Sequence, residues 1–184
     1  MTTTPIIKPI DPSTATGAAK ELLDSVQKTL GVTPNMTKVM AASPALLRGY
    51  LSLSGALGGG VIKAPAREQL AIATAESNGC GYCLSAHTYL GGAIGKLPES
   101  ELKAARDAES ADAHTQALLT LSDAIVRNHG HIEHAVLEAA RAAGVSDAEI
   151  GEIVGHIALN VLTNYFNVLA GVEIDWPVVI APRA

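Results

Sequence analysis

Two cysteines and a histidine, spaced three and four residues apart, are the residues of this chain best suited to chemistry. Cys80 and Cys83 are the only cysteines among 184 residues, and His87 follows Cys83 by four positions. On an α-helix, residues three and four apart share a face, so Cys83 and His87 would lie one turn apart. A nearby imidazole or a helix N-terminus lowers the pKa of a thiol and favours the reactive thiolate. The spacing therefore predicts cysteine redox chemistry.

A carboxylate upstream completes this candidate site. Glu68 lies twelve residues before Cys80, which along one straight helix would separate them by about 18 Å. The pair Asn78-Gly79 is the most plausible turn between them, because both residue types break helices. Two helices folding back there would place Glu68 against His87 in a buried pocket. The carboxylate would then orient and polarise the imidazole.

Composition limits the classes of protein to consider. Hydrophobic residues make up 48% of the chain but aromatic residues only 3%, so Ala, Leu, Val and Ile must build the core. These small side chains favour close helix packing. The formal net charge is -5 and there is no basic cluster, so we expect no nucleic-acid partner.

Two segments bear on location. The first ten residues lack the basic region and long apolar stretch of a secretory signal, so we expect a cytoplasmic protein. The apolar run 153–172 carries one histidine and three asparagines, which would be costly to bury in lipid, so we expect no membrane partner. The cytosol keeps thiols reduced, which favours catalytic or metal-binding cysteines over a permanent disulfide.

Helix start and stop signals follow one another along the chain, and no segment shows a convincing strand alternation. We predict one all-α domain over residues 1–184, with an N-terminal arm at 1–15 and an extended tail at 171–184. The predicted helices are 17–30, a short one after Pro34, 44–58, one from Pro65 to Asn78-Gly79, the cysteine segment, a short charged one from Pro98, 111–128, 132–142 and 147–170.

A polar stripe interrupts the last helix at spacings of four, four and three: His156, Asn160, Asn164 and Asn167. Buried polar groups need partners. We predict that the stripe lies in an oligomer interface, with the wall of a substrate pocket as the alternative. His156 is accordingly a candidate pocket residue.

The set Glu68, Cys80, Cys83 and His87 resembles the E-x11-C-x2-C-x3-H signature of the alkylhydroperoxidase D and carboxymuconolactone decarboxylase-like family. The run 156–167 resembles the peroxidase-related branch of that family, and with residues 32–36 the resemblance covers most of the chain. It implies a compact multi-helix fold that assembles into homo-oligomers.

The resemblance also implies roles for the site residues. Cys83 would attack a hydroperoxide, activated through His87 and Glu68, and Cys80 would resolve the sulfenic acid into a disulfide. An external dithiol or protein reductant would reset the pair, with no metal or organic cofactor. The residues alone leave the order open, since Cys83 is spaced for contact with His87 while Cys80 lies nearer the helix N-terminus.

One position departs from the family pattern. Tyr82 stands between the cysteines where well-studied members have a histidine, so a relay of two imidazoles is missing. This predicts a weaker or differently tuned peroxidase, in which Tyr82 can still donate a hydrogen bond within the substrate pocket. The family's lactone decarboxylases generally lack a cysteine pair, so retention of both thiols favours redox chemistry over decarboxylation.

Two alternatives remain beside the peroxidase. One is a thiol-disulfide oxidoreductase that acts on protein substrates. The other is a non-catalytic helical oligomer whose dithiol senses oxidation or binds zinc, although structural zinc prefers four Cys or His ligands and this region supplies three. The histidines at 129, 131 and 134 suit an exposed corner between helices better than a metal site.

Overall fold

The computed structural model describes residues 6–182, and within them all regular secondary structure is helical, as predicted. This described part contains nine α-helices and one 3-10 turn, Ala105–Asp107. The helices are α1 Gly17–Leu30, α2 Asn35–Met40, α3 Pro44–Gly58, α4 Ala64–Ser77, α5 Gly81–Ala93, α6 Glu99–Ala104, α7 Ala113–Arg127, α8 His134–Ala142 and α9 Asp147–Ala170.

Capping residues account for several of the helix boundaries. The Ser43 side chain accepts a hydrogen bond from the Leu46 N–H at the start of α3, and Ser146 forms a complete capping box with Glu149 at the start of α9. Gly31 ends α1 with a φ of 75°, the left-handed conformation that glycine adopts at little cost. These local signals explain why the helix count was predictable.

Two helices differ from their predicted boundaries. Helix α8 begins at His134 rather than at 132, because residues 131–133 are irregular and Glu133 occupies the N-cap position. Helix α7 begins at Ala113 rather than at 111, because the Asp112 side chain caps it by accepting from the Thr115 N–H, and it ends at Arg127, one residue earlier than predicted. Neither change moves a candidate site residue.

A sharp turn between α4 and α5 sets the geometry of the centre of the fold. Gly79 has a φ of 64°, and the Cys80 N–H donates to the Ala75 carbonyl 2.9 Å away. The chain therefore reverses at Asn78-Gly79, as expected, and α4 and α5 pack side by side. Helix α4 also packs against α7 and α9, which makes it the central element.

Two clusters of buried apolar side chains flank α4. The first surrounds the cysteines and draws on α1, α2, α3 and α5. The second lies between α4, α7, α8 and α9, with Leu119, Leu121 and Ile153 fully buried. Burial of such side chains contributes about 1.5–3 kcal/mol each. Three of the candidate site residues, Cys80, Tyr82 and Cys83, belong to the first cluster.

Helix α9 is long and apolar enough, by length and composition alone, to cross a membrane. In this fold it packs against α3, α4, α5 and α7, and 39% of its most apolar window is buried. The four members of the polar stripe are all buried within the single chain: His156, Asn160, Asn164 and Asn167. Their predicted location in an oligomer interface is therefore wrong, since they face the molecule's own α4 and α5.

The C-terminal tail returns across the cysteine helix. Its Val179 N–H donates to the Ser85 hydroxyl at 2.9 Å, and its Ile180 carbonyl accepts from the Arg106 side chain at 3.0 Å. Residues 172–182 contain no helix or strand, as predicted for the tail, and residues 6–15 form a similarly irregular arm. The outermost parts of the predicted arm and tail, 1–5 and 183–184, lie outside the described residues.

Candidate active site

The two cysteines occupy different positions at the start of α5. Cys83 lies in the first turn, whereas Cys80 is the N-cap residue and its sulfur accepts a hydrogen bond from the Cys83 N–H at 3.4 Å. Cys80 therefore precedes the helix, whereas Cys83 and His87 lie on it one turn apart, as the spacing predicts. Both are free thiols and almost fully buried, with exposures of 1% and 2%.

Glu68 and His87 meet across the α4–α5 turn, as the fold-back predicted. The Nδ1 atom of His87 lies 2.8 Å from Oε2 of Glu68, and about three quarters of each side chain is buried. Burial, the largest influence, lowers the pKa of His87, but the charge and hydrogen bond of Glu68 outweigh it, so the net shift is upward. The pair therefore favours an imidazolium close to the thiols.

The environment shifts the pKa values of the two thiols in opposite directions. The pKa of Cys83 is lowered, first by a hydrogen bond from the Cys80 thiol and, against the cost of burial, by the charge of His87. The pKa of Cys80 is raised, because its proton is engaged with Cys83 and because it is buried. Thus the thiolate forms on Cys83, although Cys80 lies nearer the end of the helix dipole.

Asparagines of α9 complete the surroundings of Cys83. The Asn167 amide nitrogen lies 3.2 Å from Cys83 Sγ and 3.2 Å from Met36 Sδ, and it donates to both sulfurs. The side-chain Oδ1 atom of Asn164 accepts from the Asn78 side-chain amide at 2.9 Å. This contact joins α9 to the α4–α5 turn. Asn164 and Asn167 both lower the pKa of Cys83. Sequence analysis assigned both asparagines to the polar stripe but did not predict that they lie beside Cys83.

A cavity of about 690 Å³ opens beside this group. Cys83 and His87 line it, but Cys80 and Glu68 do not. Most of its other walls are apolar, and they come from α2, α5, α9 and the C-terminal tail: Pro34, Met36, Ala86, Leu90, Ile94, Leu159, Trp176 and Pro177. A small apolar molecule in the cavity could therefore reach Cys83 but not Cys80.

Tyr82 lies on the cavity wall and is held in place by the tail. Its hydroxyl donates to Asp175 Oδ2 at 2.7 Å and accepts from the Met36 N–H at 3.2 Å. The Trp176 ring packs edge-on against it, with 5.3 Å between the ring centroids. Burial and the Asp175 carboxylate raise the pKa of Tyr82. Its proton is therefore committed to Asp175, a contact with the tail that no sequence pattern predicted.

His156 lies apart from the cavity. It is buried on α9, its Nε2 atom has no hydrogen-bond partner, and it is not among the residues that line the cavity. Burial, followed by the nearby positive charge of Arg67, lowers its pKa and keeps it neutral. Asn160 of the same stripe does line the cavity, together with Thr163. The pocket-wall interpretation therefore fits Asn160 better than His156.

Within residues 6–182, no three His, Cys, Asp or Glu side chains converge as a set that could hold a metal ion. His129, His131 and His134 are exposed around the irregular α7–α8 connection, as expected for an inter-helix corner.

Comparison with known proteins identifies the fold. No protein-family model and no curated protein matches the chain. The solved structures similar to it include the alkylhydroperoxidase AhpD core of an uncharacterized peroxidase-related protein from Ralstonia eutropha JMP134, with a TM-score of 0.82 and 21% identity over 94% of both chains.

Two further structures match at nearly full length. An uncharacterized peroxidase-related protein from Silicibacter sp. TM1040 has a TM-score of 0.78 and 23% identity, over 94% of this chain and 95% of its own. A variant of the debrominase Bmp8 in complex with 2,3,4-tribromopyrrole has a TM-score of 0.78 and 18% identity, over 95% and 93%. The chain thus has the fold of the AhpD core, which peroxidase-related proteins and a debrominase share.

Proposed function

We propose that the protein is a peroxidase that reduces organic hydroperoxides through Cys80 and Cys83. The observation that carries the proposal is the asymmetry of the pair: Cys83 has the lowered pKa and lines the 690 Å³ cavity, whereas Cys80 is protonated behind it. A low-pKa thiolate open to a cavity, with a second thiol in reach, is the arrangement that two-cysteine peroxide reduction needs.

In the first step, the Cys83 thiolate attacks the terminal oxygen of the hydroperoxide. The sulfur–oxygen bond forms as the oxygen–oxygen bond breaks, which leaves Cys83 as a sulfenic acid and the other oxygen as an alkoxide. His87, which took the thiol proton and is held by Glu68, returns it to the alkoxide to give the alcohol. Sulfur is oxidised and the peroxide is reduced.

In the second step, the Cys80 sulfur attacks the sulfenic sulfur of Cys83. A disulfide forms, and the hydroxyl leaves as water with the Cys80 proton. A small external dithiol then exchanges with this disulfide and returns both thiols. Because Cys80 already hydrogen-bonds to Cys83 in the reduced protein, the resolving thiol has little distance to cover.

A protein substrate fits this site poorly. Both cysteines are at least 98% buried, and the cavity beside Cys83 is lined mostly by apolar side chains. Disulfide exchange with a folded protein requires an accessible sulfur. The burial therefore favours a small apolar substrate over the alternative of a general thiol-disulfide oxidoreductase.

The aromatic side chains of the cavity favour a second candidate, reductive debromination. Tyr50, Tyr89 and Trp176 line the same space as Cys83, and a debrominase shares the fold. Cys83 would take bromine from an electron-rich heteroaromatic ring, with a proton replacing it on carbon. Cys80 would then displace bromide and form the same disulfide.

One experiment separates these functions. Fully reduced protein is mixed with one equivalent of cumene hydroperoxide or of a brominated pyrrole, and free thiols, intact mass and released bromide are followed. Loss of both thiols and about two daltons with the peroxide supports the peroxidase, because a disulfide then forms. Bromide release without any reaction of the peroxide would support debromination. No reaction with either, together with one zinc per chain, would support a structural dithiol.

The order of the thiols is tested in the same assay. Cys83→Ser should abolish the first turnover with peroxide, because it removes the thiolate that lines the cavity. Cys80→Ser should still consume one equivalent and stop at the sulfenic acid, which a dimedone adduct reveals by mass. If Cys83→Ser reacts and Cys80→Ser does not, the roles are reversed.

A further inference from the structure

Helix α3 supplies a separate wall of the Cys83 cavity, and this wall carries two hydroxyl groups. Tyr50 and Ser54 lie four residues apart, so they are neighbours on one face of the helix. Both line the 690 Å³ space that Cys83 and His87 also line. Because Cys83 and Tyr50 line the same cavity from two different helices, a molecule bound there can contact the Cys83 sulfur and the Tyr50 phenol at the same time.

The environment of Tyr50 keeps its proton in place. Its side chain packs against the apolar cluster that contains Cys83. Burial, assisted by the negative charge of Cys83, raises the pKa of Tyr50 to about 12. The phenol is consequently a neutral hydrogen-bond donor at any physiological pH.

The hydroxyl of Ser54 is the neighbour of this phenol on α3. A hydrogen bond from Ser54 to the ionised phenol opposes the upward pKa shift of Tyr50 without reversing it. A neutral tyrosine hydroxyl has one proton of its own, which it can donate to an acceptor. A bound ligand oxygen in the cavity is such an acceptor.

We propose that Tyr50 is a catalytic residue that binds the hydroperoxide oxygen destined to leave, with Ser54 as its positioning residue. This inference rests on the proposed peroxidase function. As Cys83 attacks the terminal oxygen, the electron pair of the breaking bond moves to the other oxygen, where the Tyr50 hydroxyl donates to the growing negative charge. Tyr50 keeps its proton, and His87 supplies the proton of the alcohol. Fixed donors aimed at developing charge are among the largest contributions to catalysis.

The test compares Tyr50→Phe with the wild type in stopped-flow reduction of cumene hydroperoxide. We expect the second-order rate constant to fall about 10- to 100-fold, in the range seen for loss of one transition-state donor. The pH midpoint of Cys83 alkylation by iodoacetamide should be unchanged, because Tyr50 is not among the groups that shift the Cys83 pKa. Ser54→Ala should give a smaller loss of the same kind.

The control is Ser52→Ala, which removes a hydroxyl from an exposed position of α3 outside the cavity and should leave the rate unchanged. An active wild type with an equally active Tyr50→Phe variant would overturn the role of Tyr50 alone. A Tyr50→Phe variant that loses alkylation and peroxide reduction in parallel would also overturn it, in favour of a structural role. A wild type that leaves the peroxide intact would remove the proposed function itself.

Discussion

The reactivity of the cysteine pair is decided by which thiol gives its hydrogen bond to the other. Cys80 donates to Cys83, so one sulfur gains stabilisation of its negative charge and the other loses its freedom to ionise. The Asn167 amide adds a second donor to Cys83. Helix dipole arguments alone favour Cys80, but these direct hydrogen bonds act at shorter range and prevail.

Glu68→Gln should make Cys83 less acidic. Glu68 is what raises the pKa of His87 against burial, so its loss leaves a neutral imidazole that no longer lowers the pKa of Cys83. Because only the thiolate reacts, the pH midpoint of iodoacetamide alkylation should move upward by about one unit, a change of about 1.4 kcal/mol.

The control for this experiment is Glu138→Gln, at an exposed position of α8 remote from the cysteines. It should leave the alkylation profile of Cys83 unchanged. If Glu68→Gln alkylates with the wild-type pH profile, Glu68 has no part in activating the thiol.

Asn167→Leu should have a similar effect through a different contact. The substitution keeps the branching of the side chain but removes the amide that donates to Cys83 at 3.2 Å. Hydrogen bonds to charged groups contribute about 1.5–3 kcal/mol, so the pKa of Cys83 should rise by about one unit or more. Ultraviolet absorbance of the thiolate against pH measures this directly in the Cys80→Ser background. An unchanged titration would show that the Asn167 contact is incidental.

Sequence reasoning reached part of this site and missed the rest for a physical reason. Cys83, His87 and Glu68 were predictable because helix periodicity and one turn bring them together. Asn167 lies 84 residues from Cys83, and Tyr50 reaches the cavity from α3, so only tertiary packing brings them near the thiols. No local pattern distinguishes such residues from ordinary buried polar or aromatic side chains.

Among the helices and connections, the C-terminal tail is the element that departs most from its expected role. The sequence predicts an extended segment, and the structure adds that this segment docks onto α2 and α5. Asp175 accepts from the Tyr82 hydroxyl and from the Asn35 N–H, at 2.7 and 3.0 Å, and Trp176 closes one side of the cavity. Extended backbone carries no periodic signal, so its docking position was not predictable.

Asp175→Ala should loosen the tail and weaken the cavity wall. The substitution removes two charge-assisted hydrogen bonds, although the partly exposed carboxylate limits the loss to about 1–2 kcal/mol in the free energy of unfolding. Urea denaturation measures this loss, and hydrogen exchange should show faster exchange at the Val179 amide.

Glu173→Ala is the control for this experiment, because it removes an exposed carboxylate from the same tail while leaving the backbone carbonyl that Asn35 contacts. Equal stability and equal exchange rates in the two variants would contradict a fastening role for Asp175.

At the scale of the whole molecule, α9 joins the site to the outer surface. Its inner face presents Asn160 and Asn167 to the cavity and the cysteine, while its outer face exposes Val154, Tyr165 and Leu169. An apolar helix face without a covering element is typical of an interaction surface. We infer that this face lies between copies of the chain, which would place a homo-oligomer interface one helix diameter from each active site.

Light scattering coupled to size exclusion should therefore give a mass that is a multiple of 18.9 kDa in detergent-free buffer. Leu169→Glu places a charge at the 64% exposed position on this face and should shift the protein toward the monomer, because burying an unpaired carboxylate is costly. Val178→Glu, at a 67% exposed position on the tail, should leave the mass unchanged. A wild-type mass of 18.9 kDa would contradict self-association, and co-sedimentation of that monomer with lipid vesicles would assign the apolar face of α9 to a membrane surface instead.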